Sequence, residues 1–321
     1  MGLKKSLGII CERLPFGKLF FSLNLMLFHW KDRMHYKKKN KCGTKYLAIR
    51  ALNSDEGMMS LFIYVLNSSL WAYENGFIPY VDFTNEHCQY YTGREINGSK
   101  NAWEYFFKQP SDATKEDIDN AECLLLSGWS FKKKFKANSI KYTLEDMNNV
   151  KNKEFAKKYL PVNDNFNALV EQKYKELFQG KVLGVFIRGT DYVQIKPKGH
   201  YVQPSIEEVK TKIDEFMAKN TVNKIFVVTE DYSYFEYLKK EYGDLVFSSD
   251  DYFVKNYKKD DYLSSSFDND KYERGANYLI RLLLLNKCDY LISSLTNGSL
   301  FLKLICDKKY EDEHWFELGK Y

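Results

Sequence analysis

Arg188, Asp191 and His200 stand in one short stretch of the chain, directly after an apolar run over 182–187 broken only by Gly184. Each side chain brings its own chemistry. A guanidinium is always charged, and its planar fork grips a phosphate two-pronged. A carboxylate three residues on is near enough to orient that fork or to meet a hydroxyl, and an imidazole takes up a proton near neutral pH. Together they suit the stabilisation of negative charge on a phosphate coupled to a proton transfer, with His200 ahead of Asp191 and Glu104 as the base. A plain strand-end ion pair is the alternative, because structural pairs use the same residue types.

Two further polar groups follow apolar runs in the same way. Thr229, Glu230 and Asp231 come after the run 224–228, and Thr296, Asn297, Gly298 and Ser299 come after 290–293. Asn53 and Gly57 bound a loop that opens a helix, where backbone N–H groups can meet an anion or a hydroxyl. Without a glycine-rich fingerprint, that loop reads equally as a plain connection. Trp103 and Glu104 lie in the aromatic stretch 101–110, whose default role is core packing.

Bringing these groups together takes alternating strands and helices. Short apolar runs at 45–50, 77–83, 123–126, 182–187, 224–228, 245–248 and 290–293 read as strands. Helical spacing of Phe62, Leu66, Leu70 and Tyr73 predicts a helix over 58–75, stopped by Gly76. Further helices are expected over 144–160 with Thr143 as cap, 165–179, 205–219 with a Ser205/Glu208 capping box, 234–242, 275–286 and from 296 onward. Strands and helices alternating at these lengths imply an α/β protein with a doubly wound parallel sheet. Arg188, Thr229 to Asp231, and Thr296 to Ser299 should then share one carboxyl edge.

The chain has 321 residues, 44% of them hydrophobic and 17% aromatic, enough for two domains that each bury a core. The expected division is a basic N-terminal segment 1–44, a first Rossmann-like domain 45–170 and a second 171–321. Net charge is +5, but residues 1–45 hold eleven Lys and Arg against Glu12 and Asp32, a net +9 that leaves the remainder near −4. A basic end on a mildly acidic body points to one anionic surface, not to a nucleic-acid groove along the whole protein. The apolar run 19–30 falls short of the roughly 20 residues a spanning helix needs. With its basic flanks and Lys37, Lys38, Lys39 and Lys41, it fits an interfacial helix on an anionic membrane, or else a helix packed on the protein's own body. Six cysteines without CxxC spacing read as reduced thiols in a cytosolic protein, with no zinc site.

Three motifs in order carry a resemblance: Gly184-Val185-Phe186-Ile187-Arg188-Gly189-Thr190-Asp191; Val228-Thr229-Glu230-Asp231; and Arg274-Gly275 with Cys288-Asp289-Tyr290-Leu291-Ile292-Ser293 running on to Thr296-Asn297-Gly298-Ser299. The second half resembles the donor-binding domain of the α1,6-/α1,2-/protein-O-fucosyltransferase superfamily, nearest to the core α1,6-fucosyltransferase and rhizobial chitooligosaccharide type. The resemblance implies a GT-B fold, two Rossmann-like domains facing a central cleft, and an inverting glycosyltransferase that needs no metal or other cofactor. Its donor would be a nucleotide sugar, usually GDP-fucose, and its acceptor a saccharide, here suited to a lipid-linked one at the inner membrane face. By motif position Arg188 would grip the leaving phosphate, Asp191 would order the loop, Thr296, Asn297 and Ser299 would hold phosphate oxygens, and Glu230 and Asp231 would lie near the base or ribose. Trp103 and Glu104 would stand on the acceptor side.

The pattern departs from that family in three places. Phe186 and Gly189 replace a histidine and a second arginine, and Lys196 stands where a glutamate is usual. Two rival readings remain at this level. Asp117-Ile118-Asp119 or Asp268-Asn269-Asp270 would hold a cation in a metal-dependent transferase, although neither follows an apolar strand. Alternatively, Lys37 to Lys41 would make the chain a noncatalytic membrane- or nucleic-acid-binding protein.

Overall fold

The computed structural model describes residues 37–38, 43–51, 56–128, 140, 143–189, 191–250, 253–254, 270–306 and 308–321. Most of the basic segment 1–44, together with Asn53 and Asp268, therefore lies outside the described residues. So do the side chains of Lys37, Lys38 and Asp191. Described residues within Met1–Leu52, Asn67–Asp82 and Pro110–Ser139 form one compact unit, and those within Asn53–Leu66, Phe83–Gln109 and Ile140–Tyr321 form the other. The second unit thus takes in stretches that lie well before residue 171 in the chain.

In the first unit the strands are β1 (Lys37–Lys38), β2 (Lys45–Arg50), β3 (Ile78–Asp82) and β4 (Cys123–Leu126), in the order β1-β4-β2-β3. β2 pairs parallel with β3 and β4, and only β1 runs antiparallel, against β4. Helix α1 (Met58–Glu74) lies between β2 and β3 in the chain, its residues from Asn67 onward in this unit and those before it in the other. Ala48, Tyr80 and Ile118 form a small core, to which α2 (Lys115–Asn120) contributes Ile118. The carboxylate of Asp117 closes a capping box with Thr114, and Asp119 pairs with Lys115. Thr114's hydrogen bonds hold the Asp117 carboxyl below its ordinary range.

The cysteine expectation needs correcting. Cys88, Cys288 and Cys306 are buried free thiols, but Cys123 is half of a disulfide whose partner lies outside the described residues. Pairing was set by which segments fold together, which Cys-x-x-Cys spacing does not report. A disulfide at Cys123 removes the support that reduced thiols would give to a cytosolic location.

In the second unit α3 (Leu144–Asn148) and α4 (Val150–Tyr159) replace one expected helix, because Asn149 leaves helical geometry and caps the second piece. α5 (Asp164–Leu177) leads to the sheet strands β5 (Val182–Phe186), β6 (Lys224–Val228), β7 (Val246–Phe247), β8 (Tyr290–Ser294) and β9 (Asp312–Phe316). The short α6 (Asp191–Ile195) and then α7 (Ile206–Lys219) lie between β5 and β6, and α8 (Tyr232–Tyr242), α9 (Lys271–Leu285) and α10 (Asn297–Ile305) fill the later crossovers. The order is β7-β6-β5-β8-β9, and every neighbouring pair is parallel. Leu183, Val185 and Ile187 alternate onto one face and pack with Val209, Ile213 and Phe216 of α7 and Leu238 of α8. α9 packs on β5 and β6, so helices cover both faces and the strands read as continuous apolar runs. Among the described residues no helix is long and apolar enough to cross a membrane.

Candidate functional site

Strand order locates the site. From β5 the chain winds outward through β6 and β7, then returns to lay β8 on the other side of β5, so the direction reverses between β5 and β8. Parallel sheets bind ligands at the carboxyl ends of the strands where this reversal opens a crevice. Phe186 is level with both Val228 and Ser293, so Arg188, Glu230 and Leu295, each two residues further on, come level at that edge.

Arg188 Nη1 lies 2.8 Å from Glu230 Oε2, with the two side chains 20% and 21% exposed. The guanidinium also sits 4.7 Å above the ring of Tyr192, an attraction between a cation and a π face. Tyr192 Oη shares a 3.2 Å hydrogen bond with His200 Nδ1. One chain of contacts thus runs Glu230–Arg188–Tyr192–His200. The exposed His200 is held by its backbone. Its carbonyl accepts from Tyr321 N, while the neighbouring Gly199 N donates to the Tyr321 carbonyl. Asp191 opens α6, and among the described side chains Glu230 is a carboxylate set against Arg188.

Thr296 and Ser299 open α10 and are buried, and their side chains serve each other. Thr296 Oγ1 accepts from Ser299 N, and Ser299 Oγ accepts from Thr296 N in a capping box. The helix-end donors that this box leaves over are the N–H groups of Asn297 and Gly298. Phe186, standing where a histidine was expected, is buried with its ring against Gly298: a Cβ there would lie 2.7 Å from Phe186 Cζ and 2.6 Å from Tyr278 Oη. Burial pushes the Tyr278 phenol well above its ordinary pKa, with Glu230 adding to the shift and Arg188 opposing it.

Gly189, in place of a second arginine, has a packing reason. A Cβ on it would stand 2.8 Å from Asp231 Cβ and 3.0 Å from Asp231 Cγ. Asp231 is anchored as the cap of α8, its Oδ1 accepting from Ser233 N. Neither side can give way cheaply. Gly189→Ala is expected to lower the melting temperature by overpacking worth about 1–3 kcal/mol, which thermal unfolding measures.

Thr229 is buried, and its carbonyl accepts from Arg281 Nη1 at 3.1 Å. Arg281, 2% exposed, pairs with Asp250 through both Nε and Nη2. Gly57 closes the first turn of α1 by accepting from Ser60 N and Leu61 N, and Met58 N donates to Tyr90 Oη. Burial pushes the Tyr90 phenol up to about 12 against the pull of Arg274, whose guanidinium lies 5.5 Å from its ring. Trp103 is buried and stacks on Phe107 at 4.6 Å, while its Nε1 donates to the Lys108 carbonyl. Glu104 accepts from Ser99 Oγ and Gln109 Nε2. Both are packed and bonded as parts of their own loop. Asp270 caps α9 and pairs with Arg94, and no cluster that could hold a metal occurs among the described residues.

Sequence reasoning missed the roles of Tyr192 and Tyr278 and the Arg281–Asp250 pair, and quoted Arg274 only as part of a motif. For Arg281 a signal existed: one charge inside the apolar stretch 279–285 must be paired if the helix is buried. The tyrosines gave none, being a few among 25.

No protein-family model matches the chain, and no curated protein does. Solved structures do. A NodZ α-1,6-fucosyltransferase soaked with GDP-fucose is 14% identical, with 82% of this chain and 93% of that chain covered, at a TM-score of 0.50. POFUT1 in its apo form is 9% identical, with 87% and 99% covered, at 0.51. At these identities the likeness carries the fold, an α/β, GT-B-type pair of Rossmann-like domains.

Proposed function

We propose that this chain is a glycosyltransferase that moves a sugar from a nucleotide diphosphate to a saccharide hydroxyl, taking fucose from GDP-fucose, with inversion and without a bound metal. The observation that supports it is the reversal point itself, where Arg188 follows β5 and a helix N-terminus follows β8 on one parallel sheet. Breaking a glycosyl–phosphate bond leaves its electron pair and negative charge on the diphosphate, and fixed donors at that place lower the barrier. Arg188 would turn from Glu230 towards one phosphate, and the N–H groups of Asn297 and Gly298 would take oxygens of the other. The acceptor hydroxyl would attack the far face of the sugar and give its proton to His200. Thr229, Glu230 and Asp231 would line the nucleoside side. Residues 1–44 would bring the protein to an anionic membrane surface, which suits a lipid-linked acceptor in cell-surface polysaccharide synthesis.

A second reading, the same reaction with another nucleotide sugar, draws support from Phe186 and Gly189, which put neither an imidazole nor a second guanidinium at those two motif positions. Thermal shifts with GDP, UDP, CMP and TDP separate the two. A ligand at about 100 times its Kd stabilises by about 2.7 kcal/mol. GDP is expected to give the largest rise, and transfer from GDP-fucose is expected to persist in EDTA. A larger rise with UDP would favour the second reading, and no rise with any nucleotide would overturn both.

A further inference from the structure

We propose that Tyr192 is a positioning residue that sets the distance and orientation between the groups serving the two ends of the reaction. This inference rests on the transferase reading. One aromatic ring carries the Arg188 guanidinium on its face, 4.7 Å from its centre, and the His200 imidazole edge-on at 5.3 Å. The two groups are therefore held within about 10 Å of each other by a common support. Inverting displacement needs that kind of spacing, because the departing phosphate and the attacking hydroxyl lie on opposite faces of one sugar ring.

The hydroxyl of Tyr192 adds orientation. If His200 is to accept a proton at Nε2, its Nδ1 must carry hydrogen, and a donor there needs an acceptor. Tyr192 Oη is at hydrogen-bond distance from Nδ1, at 3.2 Å. In the tautomer with hydrogen on Nδ1 the Tyr192 hydroxyl accepts that bond, which leaves Nε2 to take the proton and fixes the plane of the ring. No backbone carbonyl is needed for the task. The sequence placed Tyr192 beside Asp191 without any sign of this role, since the contact depends on the loop returning His200 to the first turn of α6.

Two substitutions divide the contributions. Tyr192→Phe keeps the ring under Arg188 and removes only the hydroxyl. It is expected to lower kcat by roughly threefold to tenfold, the size of one hydrogen bond, with GDP affinity and melting temperature unchanged. Tyr192→Leu also removes the ring, and is expected to weaken GDP binding by roughly twofold to fivefold. In a His200→Gln background the effect of Tyr192→Phe on kcat should vanish, which a merely structural role would not produce. Undiminished kcat in Tyr192→Phe, or an equal loss in the His200→Gln background, would overturn the proposal and leave the transferase reading standing. Wild-type protein that neither binds GDP nor transfers sugar would instead sink the reading beneath it.

Discussion

Arg188→Ala is expected to lower turnover by roughly one to two orders of magnitude while the protein remains folded. Hydrogen bonds to charged groups are worth about 1.5–3 kcal/mol each, and about 1.4 kcal/mol is tenfold in rate. The loss should fall mainly on kcat, because the charge that Arg188 meets is greatest as the glycosyl–phosphate bond breaks. Arg188→Lys should recover only part of it, since a point charge neither forks to two oxygens nor stacks on Tyr192 in the same way. Steady-state kinetics with GDP-fucose and a soluble saccharide, beside a melting curve, give the result. A purely structural strand-end pair predicts the opposite: a lower melting temperature with turnover intact. Arg188 and Glu230 are each about four-fifths buried, so both measurements are needed to separate the roles.

The largest stability effect is expected at Arg281. Its guanidinium is 2% exposed, pairs with Asp250, bonds the Thr229 carbonyl at 3.1 Å and lies 5.1 Å from the centre of the Phe253 ring. Arg281→Met fills much of the same space but takes the guanidinium away from the Thr229 carbonyl and from the Asp250 carboxylate, which keeps its bond from Ser249 Oγ. Removing one partner of a buried pair costs about 3–5 kcal/mol. At about 2–4 °C per kcal/mol for a domain of this size, the melting temperature should fall by roughly 6–20 °C. Arg281→Met combined with Asp250→Asn should recover part of the loss, because the carboxylate charge that faced the guanidinium is gone. A double variant no more stable than Arg281→Met alone would show that the Thr229 carbonyl and the Phe253 contact carry the effect.

These two arginines show how far a sequence can be read. Arg188 announces itself, because it follows a short apolar, β-branched run that reads as a buried strand. Arg281 was passed over inside an apolar helix, although its isolation there is the clue. The caps were legible too. Ser205 with Glu208, and Thr143, cap as expected, because capping depends on residues three or four apart. β9 was not anticipated: its Asp-Glu-His-Trp-Phe run is half polar, as an edge strand must be to avoid pairing with other chains. Trp103, an expected acceptor-side ring, and Thr296 and Ser299, expected phosphate ligands, have side chains committed to packing and capping. Residue type alone does not reveal such commitments.

By itself, then, the order of amino acids determined what local physics controls: where strands and helices begin, which faces are apolar, and that three polar groups end on one edge. Tertiary structure alone decided the rest. Strand order puts the reversal between β5 and β8, Glu230 is set against Arg188, and Tyr192 joins Arg188 to His200. The division has a physical cause. Backbone and capping preferences act over a few residues, whereas partners far apart in the chain are chosen by the packing of a whole sheet with its helices, and that choice leaves no mark on any short stretch.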